Sequence, residues 1–311
     1  MTLNIIFMGT PEFAVPILKS IIESNHRVLE VYTQPPQKRN RGQKMHNSPI
    51  HDFSKKLDIP INCPRNFNKD EVDHIKKLKP DLVIVVAYGK ILPTDLLNLD
   101  KVLFINVHAS LLPKWRGASP VQHALMNNDK VTGYTFIIMN DSLDEGKIIY
   151  KEKINIDITD TYASLLSRII SLASKVLVSK IEDLSNNIIK PKTQIHSEAS
   201  YCYKIKKDDT YLKFNISAKE VLGKIKAFSP NPGAKCFLDG ELIKILDAKI
   251  EDNSKLNKKV GYVTDESLLI SCKYGFIRLI KIQRAGRKAM MAREFLNGRK
   301  VKIGSLINEK K

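Results

Sequence analysis

Two side chains near the middle of the chain have the types and the spacing for acyl-transfer chemistry. Asn106 and His108 lie at the end of an apolar run in the stretch FINVHASLLPKWRGASPVQ, which covers residues 104–122. On a β-strand, residues two positions apart share a face, so both groups can reach one reacting atom. The amide N–H of Asn106 can stabilise a carbonyl oxygen that becomes anionic. The imidazole of His108 can donate a second hydrogen bond or move a proton near neutral pH.

The surrounding sequence favours direct attack by a substrate amine. It contains no GxSxG motif and no cysteine motif that signals a covalent nucleophile. A carboxylate is expected beside the imidazole to orient it, and the stretch MNDSLDEGK offers Asp141, Asp144 and Glu145. The residues alone do not choose among these three. The alternative interpretation is a loop that Asn, His and Asp side chains merely hold together by hydrogen bonds.

The elements that must position these side chains form an α/β pattern over roughly the first 190 residues. Apolar runs at 4–8, 27–33, 82–87, 102–107 and 133–139 alternate with helical patterns, the longest of which covers 160–184. This alternation predicts a Rossmann-like, doubly wound parallel sheet, in which ligands bind beyond the carboxyl ends of the strands. The first turn, GTPE, has one glycine and a proline without an N–H group, so it does not predict a dinucleotide site.

A change of pattern divides the chain. Periodicity is lost at 189–207, and we interpret this segment as a linker between a catalytic domain at 1–188 and a smaller domain at 208–311. The smaller domain shows strand patterns with turn signals, among them Asp239-Gly240 at a predicted hairpin turn. The pattern predicts a small OB-like β-barrel.

The composition limits the class of protein. Of the 311 residues 43% are hydrophobic, yet no apolar stretch approaches the ~20 residues that a membrane helix needs. The start, MTLNIIFMGTPEF, has no basic leader and no small-residue cleavage site, so no signal peptide is expected. The four cysteines form no CxxC pair, so neither a disulfide framework nor a thiolate metal site is indicated. A reduced, cytoplasmic protein is therefore expected.

The net charge of +18 favours a polyanionic partner. The smaller half is the more basic one, since residues 207–311 carry 23 Lys and Arg against 12 Asp and Glu. Two basic segments are candidates for the contact, a loop after the second strand and a segment near the C-terminus. Their candidate contact residues are Lys38, Arg39, Arg41 and Lys44 in the loop, and Arg284, Arg287 and Lys288 near the C-terminus.

Several motifs resemble those of one enzyme family. The stretch INVHASLLPKWRGASPVQ and the later LDEG are similar to the signature of the methionyl-tRNA formyltransferases. MGTPEFAVPIL, VVAYGKILP and QRAGRKAM resemble the same family at matching places, so the likeness covers nearly the whole chain. The N-x-H and SLLP pattern is typical of the wider group of 10-formyltetrahydrofolate-dependent enzymes. The C-terminal match and the basic loop narrow the resemblance to tRNA as the substrate.

The resemblance implies a fold, a reaction and a set of site residues. The fold is the formyltransferase fold, and the reaction passes the formyl group of the co-substrate 10-formyltetrahydrofolate to the α-amine of methionine on initiator methionyl-tRNA, without a metal. By the family motif, Asn106, His108 and Asp144 form the catalytic set, in which Asp144 relays the proton from the amine. The residues implied in folate binding are Ser110, Leu111, Leu112 and Pro113, together with Ile91 and Leu92 near the pterin.

The same resemblance places the basic loop at the acceptor-stem end of initiator tRNA, where the terminal base pair is weak. Arg41 matches the family arginine in this loop, and a guanidinium suits the place because it pairs with phosphate bidentately and stacks on bases. The basic C-terminal domain is expected to follow phosphates without reading sequence, so tRNA binding should depend strongly on salt. The enzyme is expected to act in translation initiation, as a cytoplasmic monomer.

Two other functions stay open. An enzyme of the same fold could formylate another acceptor, such as an amino sugar or a nucleotide precursor, or pass the formyl group to water. A non-catalytic RNA-binding protein could also use this fold, although the joint presence of Asn106, His108 and Asp144 speaks against that. Within the central loop we expect Arg116 to form a structural ion pair and Trp115 to pack.

Overall fold

The structure is a computed structural model that describes residues 2–39, 44–251 and 259–308, without the side chain of Arg39. It divides into two compact units. The first unit comprises Met1–Gly117, Gly133–Ile154 and Leu166–Tyr201, and the second comprises Ala118–Thr132, Asn155–Leu165 and Cys202–Lys311. The boundaries 1–188, 189–207 and 208–311 stay a prediction about domains.

The described residues contain strands throughout the chain. They are β1 (Asn4–Gly9), β2 (Arg27–Tyr32), β3 (Gln37–Arg39), β4 (Lys44–His46), β5 (Ile61–Asn62), β6 (Leu82–Val86), β7 (Leu103–His108), β8 (Arg116–Gly117), β9 (Val131–Ile138), β10 (Ile148–Asn155), β11 (Tyr201–Cys202), β12 (Ala234–Leu238), β13 (Glu241–Glu251), β14 (Leu269–Ser271), β15 (Phe276–Arg284), β16 (Ala289–Met291) and β17 (Ile307–Asn308).

Helices lie between some of these strands. They are α1 (Val15–Ile22), α2 (Pro49–Lys55), α3 (Lys69–Leu78), α4 (Thr94–Leu97), α5 (Pro120–Met126), α6 (Tyr162–Ser185), α7 (Ala218–Phe228) and α8 (Ala292–Asn297). Short 3₁₀ turns cover Glu12–Ala14, His196–Glu198 and Asp208–Thr210. Helix α2 was not predicted, although Ser48 caps it by accepting a hydrogen bond from the backbone N–H of His51 at 2.9 Å.

The first unit contains a seven-stranded sheet in the order β10-β9-β7-β6-β1-β2-β5. Its centre is parallel, because β1 pairs in parallel with β2 and β6, and β6 pairs in parallel with β7. Every residue of β6 is buried, as its uninterrupted apolar sequence LVIVV predicts for a strand covered on both faces. The predicted α/β fold is confirmed, and Asn106 and His108 lie at the carboxyl end of β7.

One edge of this sheet differs from the sequence expectation. Strand β9 pairs antiparallel to β7, and β10 lies beyond β9. The sequence predicted β9 but not its direction, because an apolar run shows that a strand is buried and not which way it runs. Strand β10 was not predicted. Its residues alternate between more and less buried positions along most of its length.

The second unit contains an antiparallel sheet in the order β14-β15-β13-β12-β17, with β16 paired to β15. The predicted hairpin joins β12 to β13, and Asp239 and Gly240 at its turn have φ angles of +48° and +75°. Register shifts at Ile245–Asp247 and at Asp247–Ala248 interrupt the pairing of β13 with β15, and such bulges increase the bend of a sheet. The predicted barrel is present as a curled, antiparallel half-barrel.

Among the described residues, no helix combines the length and the apolar character that crossing a membrane requires.

Candidate active site

The side chains of Asn106 and His108 converge, as their spacing on β7 predicts. Each of them faces the carboxylate of Asp144, which lies in the turn between β9 and β10. The amide nitrogen Nδ2 of Asn106 donates to Oδ1 of Asp144 at 3.1 Å, and Nδ1 of His108 lies 3.5 Å from Oδ2. The backbone N–H of Gly117 donates to the same Oδ2 at 2.8 Å. The carboxylate of Asp144 is therefore the common partner of three nitrogen atoms.

The position of His108 leaves its two ring nitrogens with different partners. Nε2 lies 2.9 Å from the backbone oxygen of Trp115, while Nδ1 faces Asp144. The backbone oxygen of Trp115 can only accept, so Nε2 donates in that contact, and Nδ1 is the ring nitrogen that can exchange a proton with Asp144. Asn106 differs, because its NH₂ group carries two hydrogens and only one is needed for Asp144. Asn106 is also only half-buried, whereas His108 is buried.

Asp144 presents its carboxylate from an unusual backbone conformation. Its φ angle is +53°, in the left-handed region that Asp and Asn adopt more readily than most residues. Gly146 follows in the same turn. A Cβ atom at this position would lie 1.6 Å from the backbone oxygen of Ile138, so only glycine fits. The motif LDEG therefore describes a turn whose close approach to β9 fixes the place of the carboxylate.

A buried arginine lies beside this turn. The side chain of Arg116 is fully buried, and its Nη1 atom donates to Oε1 of Glu145 at 2.7 Å. Its Nε and Nη2 atoms donate to Oε1 of Gln194 at 3.2 and 2.9 Å. The hydroxyl of Tyr201 accepts from Nη1 at 3.3 Å. The expected structural ion pair of Arg116 is confirmed.

We expect the substitution Glu145→Gln to lower the free energy of unfolding by about 3 kcal/mol, because a buried cation that loses its partner is left uncompensated. Urea unfolding measures the change. Asp183→Asn is the matched control, since the Lys180–Asp183 pair on α6 is partly exposed at both ends. The control should lose about 0.5 kcal/mol or less. Equal losses in the two variants would show that the buried pair contributes no more than the surface pair.

The four residues of the SLLP motif form a tightly held loop after β7. Ser110, Leu112 and Pro113 are buried, and Leu111 is half-buried. The hydroxyl of Thr135 donates to the backbone oxygen of Ser110 at 2.6 Å, and the N–H of Leu112 donates to that hydroxyl at 3.1 Å. The backbone oxygen of Leu112 accepts from Nζ of Lys151 at 3.1 Å. These backbone groups thus have partners inside the protein.

The two residues predicted near the pterin differ sharply in exposure. Ile91 is 94% exposed, whereas Leu92 is 6% exposed and belongs to a core cluster that also contains Tyr88. Burial raises the pKa of the Tyr88 phenol, so this side chain stays uncharged at neutral pH. Ile91 lies beyond the carboxyl end of β6, and its exposed side chain provides an apolar surface that a ligand can cover.

A cavity opens at the same edge of the sheet. Its volume is about 250 Å³, and its lining includes Thr10 after β1, Gln34 after β2 and Ala87 after β6. Strand β6 is the direct neighbour of β7, and Val85 is the register partner of Asn106. Open space and the candidate catalytic groups therefore share the carboxyl edge of the sheet, where ligands bind in folds of this class.

The basic loop is described only in part. Lys38 and Lys44 lie on the short strands β3 and β4, which pair antiparallel with each other, and both are exposed. The side chain of Arg39 and all of Arg41 lie outside the described residues.

The C-terminal candidates differ in exposure and in whether an acidic side chain already neutralises their charge. Arg287 and Lys288 are exposed in the turn between β15 and β16. Arg284 instead forms an ion pair with Glu241, with 2.6 Å between Nε and Oε1. The hydrogen bond from Arg284 lowers the pKa of Glu241, which therefore stays ionised at neutral pH. Arg299 contacts the same carboxylate, so Glu241 offsets part of the local positive charge.

Within the described ranges, no group of three or more His, Cys, Asp or Glu side chains is arranged to hold a metal ion.

The sequence did not identify two groups that contact Asp144. Gln194 lies in the segment interpreted as a linker, yet its side chain is buried beside the LDEG turn. It lies between Thr193 and Ile195 in a segment without periodicity, and no motif marks it. The backbone N–H of Gly117 contributes no side-chain signal at all.

Comparison with known proteins defines the class. Residues 3–181 match the family model described as formyl transferase, and residues 204–300 match that of the formyl transferase C-terminal domain. The fold is that of a formyltransferase. A methionyl-tRNA formyltransferase of Pelagibacter ubique is 41% identical over 310 residues, which cover 99% of each chain. One of Kosmotoga olearia is 36% identical over 306 residues, or 97% of this chain and 98% of the relative. The chain belongs to the methionyl-tRNA formyltransferase family.

Several solved structures of other proteins have the same fold. WlaRD, a sugar 3N-formyl transferase crystallised in the presence of dTDP and 5-N-formyl-THF, has a TM-score of 0.67 and 20% identity over 93% of this chain and 100% of its own. The N-formyltransferase from Helicobacter canadensis, in complex with folinic acid and dTDP-3-aminofucose, also has a TM-score of 0.67 and 20% identity, over 90% and 99%. HypX from Aquifex aeolicus, in complex with tetrahydrofolic acid, has a TM-score of 0.60 and 15% identity over 95% of this chain. The chain spans 47% of the length of HypX. These structures share the fold.

Proposed function

We propose that Asn106, His108 and Asp144 perform the reaction of this family, in which the formyl group of 10-formyltetrahydrofolate passes to the α-amine of methionine on initiator methionyl-tRNA. The chain is an enzyme of this class and serves translation initiation. The observation that carries the catalytic proposal is the convergence of Asn106, His108 and Gly117 on the carboxylate of Asp144.

Asn106 is the first donor to the reacting oxygen in this proposal. A free α-amine has a pKa of about 7.7–8.0, so a large fraction is neutral and able to attack near pH 7.5. When the amine nitrogen adds to the formyl carbon, the formyl oxygen becomes anionic. The second N–H of Asn106 donates to that oxygen, while the first remains on Asp144 and fixes the direction of the amide.

Asp144 and His108 handle the proton. The amine carries a proton that must leave when the new C–N bond forms, and the folate nitrogen gains one when its bond to the formyl carbon breaks. Asp144 accepts the proton from the amine and passes it to Nδ1 of His108, 3.5 Å from Oδ2. The proton that the amine loses is then balanced by the one that the leaving folate nitrogen takes up. For His108 to bind the oxyanion as well, one ring nitrogen has to exchange its present oxygen partner.

The SLLP residues and Ile91 support the folate proposal in different ways. The loop Ser110–Pro113 is held rigidly by Thr135 and Lys151, so it provides a fixed wall, as a pre-formed ligand site requires. Ile91 provides exposed apolar surface for the flat heterocycle, and Leu92 anchors that segment in the core.

For tRNA, we propose two contact regions. The first region is the basic segment after β2, which contains Lys38, Arg39, Arg41 and Lys44. This segment contacts the acceptor-stem end of the tRNA. In the second unit, Arg287 and Lys288 offer exposed charges, whereas Arg284 is already paired with Glu241 and is expected to contribute less.

We expect the double substitution Arg287→Ala with Lys288→Ala to weaken binding of methionyl-tRNA about 10-fold and to reduce the slope of log K against log salt by about 2. Fluorescence titration at several salt concentrations measures both quantities. Arg284→Ala is the comparison variant and should change the slope less, because Glu241 offsets its charge. An unchanged slope in the double variant would remove these two residues from the tRNA surface. The affinity for folate should stay within about 2-fold of the wild-type value in both variants.

The domain assignment, the location and the assembly state are further parts of this proposal. Residues 1–188 would bind the formyl donor and carry out the chemistry, 189–207 would link the domains, and 208–311 would bind tRNA. The enzyme would work in the cytoplasm as a monomer, which light scattering of the purified protein tests.

The test of the function is formyl transfer by the purified protein with 10-formyltetrahydrofolate as donor. We expect initiator methionyl-tRNA to be formylated at least tenfold faster than elongator methionyl-tRNA, a discrimination of about 1.4 kcal/mol. Formylation of a nucleotide-linked amino sugar, with none of methionyl-tRNA, would instead support the alternative acceptor class.

A further inference from the structure

We propose that Gln194 is a positioning residue for the reaction, which acts by fixing the turn that presents Asp144. The inference rests on the catalytic role proposed above for Asp144. Gln194 lies outside every predicted element and 50 residues after Asp144 in the chain, yet its side chain is only 4% exposed.

All hydrogen-bonding positions of the Gln194 amide are in use. Its Nε2 atom donates to the backbone oxygens of Asp144 and Gly146, both at 2.8 Å. Its Oε1 atom accepts from Nε and Nη2 of Arg116 at 3.2 and 2.9 Å. An amide has two N–H donors and one oxygen with two lone pairs, so this set saturates it. The orientation of the amide is thus determined from both sides.

The contacts hold the part of the backbone that sets the direction of the Asp144 carboxylate. The left-handed conformation of Asp144 is sparsely populated and persists only where its surroundings impose it. Gln194 binds the carbonyl groups on both sides of Glu145, one of them belonging to Asp144 itself. A small rotation of that peptide would move the carboxylate away from Asn106 and His108.

Arg116 and its neighbour Gly117 connect the two sets of contacts that hold the turn. Gly117 donates its backbone N–H to Oδ2 of Asp144, while the guanidinium of Arg116 holds Gln194. Asp144 is therefore fixed at its carboxylate by Gly117 and at its backbone by Gln194, and both contacts lead to the same short strand β8. Glu145 balances the charge of Arg116, so no uncompensated charge is needed for this arrangement.

The four hydrogen bonds of this side chain require an amide at position 194. A glutamate would still pair with Arg116, but its second oxygen would face two backbone carbonyl oxygens and repel them. A methionine would fill a similar volume without any of the four hydrogen bonds. Both variants keep the length of the side chain, so they separate hydrogen bonding from packing.

The first test compares kinetic constants of Gln194→Glu and Gln194→Met with those of Tyr201→Phe. Tyr201→Phe removes a hydroxyl that contacts Arg116 and Glu145 but leaves the bonds from Gln194 to the Asp144 turn. We expect kcat to fall about 10–100-fold in both Gln194 variants, the cost of a small misplacement of a catalytic group, with KM for both substrates within about 3-fold. Tyr201→Phe should keep kcat within about 2-fold. Gln194 variants with wild-type kcat, or a Tyr201 variant that is as slow as they are, would overturn the inference.

The second test places Gln194→Glu in an Asp144→Asn background and measures single-turnover formyl transfer with excess enzyme. If Gln194 acts through Asp144, the second substitution should lower the rate by less than about 3-fold. If the full 10–100-fold loss is repeated on top of Asp144→Asn, Gln194 acts elsewhere and the inference fails. Wild-type turnover of Asp144→Asn alone would instead contradict the proposed catalytic role of Asp144, so the two failures are distinguishable.

Discussion

Asn106→Ala should lower kcat for formyl transfer about 10²–10³-fold, which corresponds to about 3–4 kcal/mol of lost transition-state stabilisation. The reason lies in the hydrogen-bond inventory of the site. In the structure Nε2 of His108 contacts the Trp115 oxygen and Nδ1 faces Asp144, whereas the NH₂ group of Asn106 needs only one hydrogen for Asp144. Asn106 is therefore the side chain with an N–H ready for the oxyanion, and steady-state kinetics at saturating substrates measure its loss.

The control for this variant is Asn140→Ala. Asn140 is an exposed asparagine two residues after the end of β9, and its side-chain oxygen accepts a local hydrogen bond from the backbone N–H of Ser142 at 3.3 Å. It should keep kcat within about 2-fold, as surface substitutions usually do. If Asn106→Ala turned over at the rate of Asn140→Ala, the amide would have no part in stabilising the transition state.

Asp144→Asn should lower kcat about 10²–10⁴-fold, the range that a positioned acid–base group contributes in enzymes. The carboxylate accepts from Asn106 on one oxygen and faces His108 and Gly117 with the other. An asparagine has one oxygen and one NH₂ group, so it turns a donor toward at least one of these nitrogens and cannot take up a proton from the amine.

The other carboxylates of the MNDSLDEGK stretch provide the comparison. Asp141 is exposed, so Asp141→Asn should keep kcat within about 2-fold. Glu145 is engaged with Arg116, so its loss should appear in unfolding measurements rather than in the chemical step. A loss of activity in Asp141→Asn as large as that in Asp144→Asn would mean that the wrong carboxylate has been assigned.

The central strands and the placing of Asn106 beside His108 were predictable because the sequence signal is local. Period-two spacing places Asn106 and His108 on one face of β7, and the uniform apolar character of β6 shows that it is covered on both faces. The Asp-Gly turn between β12 and β13 was predictable for the same reason, since two residues with positive φ favour this hairpin.

What could not be predicted depends on contacts between distant parts of the chain. The residues did not distinguish Asp144 from Asp141 and Glu145, because the choice follows from hydrogen bonds to Asn106 and Gly117 across the sheet edge. Gln194 is buried although its segment has no periodicity, since a side chain that binds two carbonyl groups needs no amphipathic pattern. The direction of β9 depends on tertiary pairing for the same reason.

The two units differ in what their charges do. In the first unit, Arg116 is fully buried and forms an ion pair with Glu145, so its charge is not available to a partner. In the second, the net positive charge is larger, but Glu241 is shared by Arg284 and Arg299. Counting basic residues along the sequence therefore overstates the charge that a polyanion would meet, and Arg287 and Lys288 are the better candidates for contacts.

The most direct measurement is a crystal structure of the enzyme with a stable 10-formyl folate analogue. We expect the formyl oxygen to lie about 2.7–3.1 Å from Nδ2 of Asn106, the distance of a functioning oxyanion donor, with Asp144 still bound to the other hydrogen of that amide. A formyl oxygen that points away from Asn106, or that takes its hydrogen bonds from other groups, would show that Asn106 does not stabilise the oxyanion.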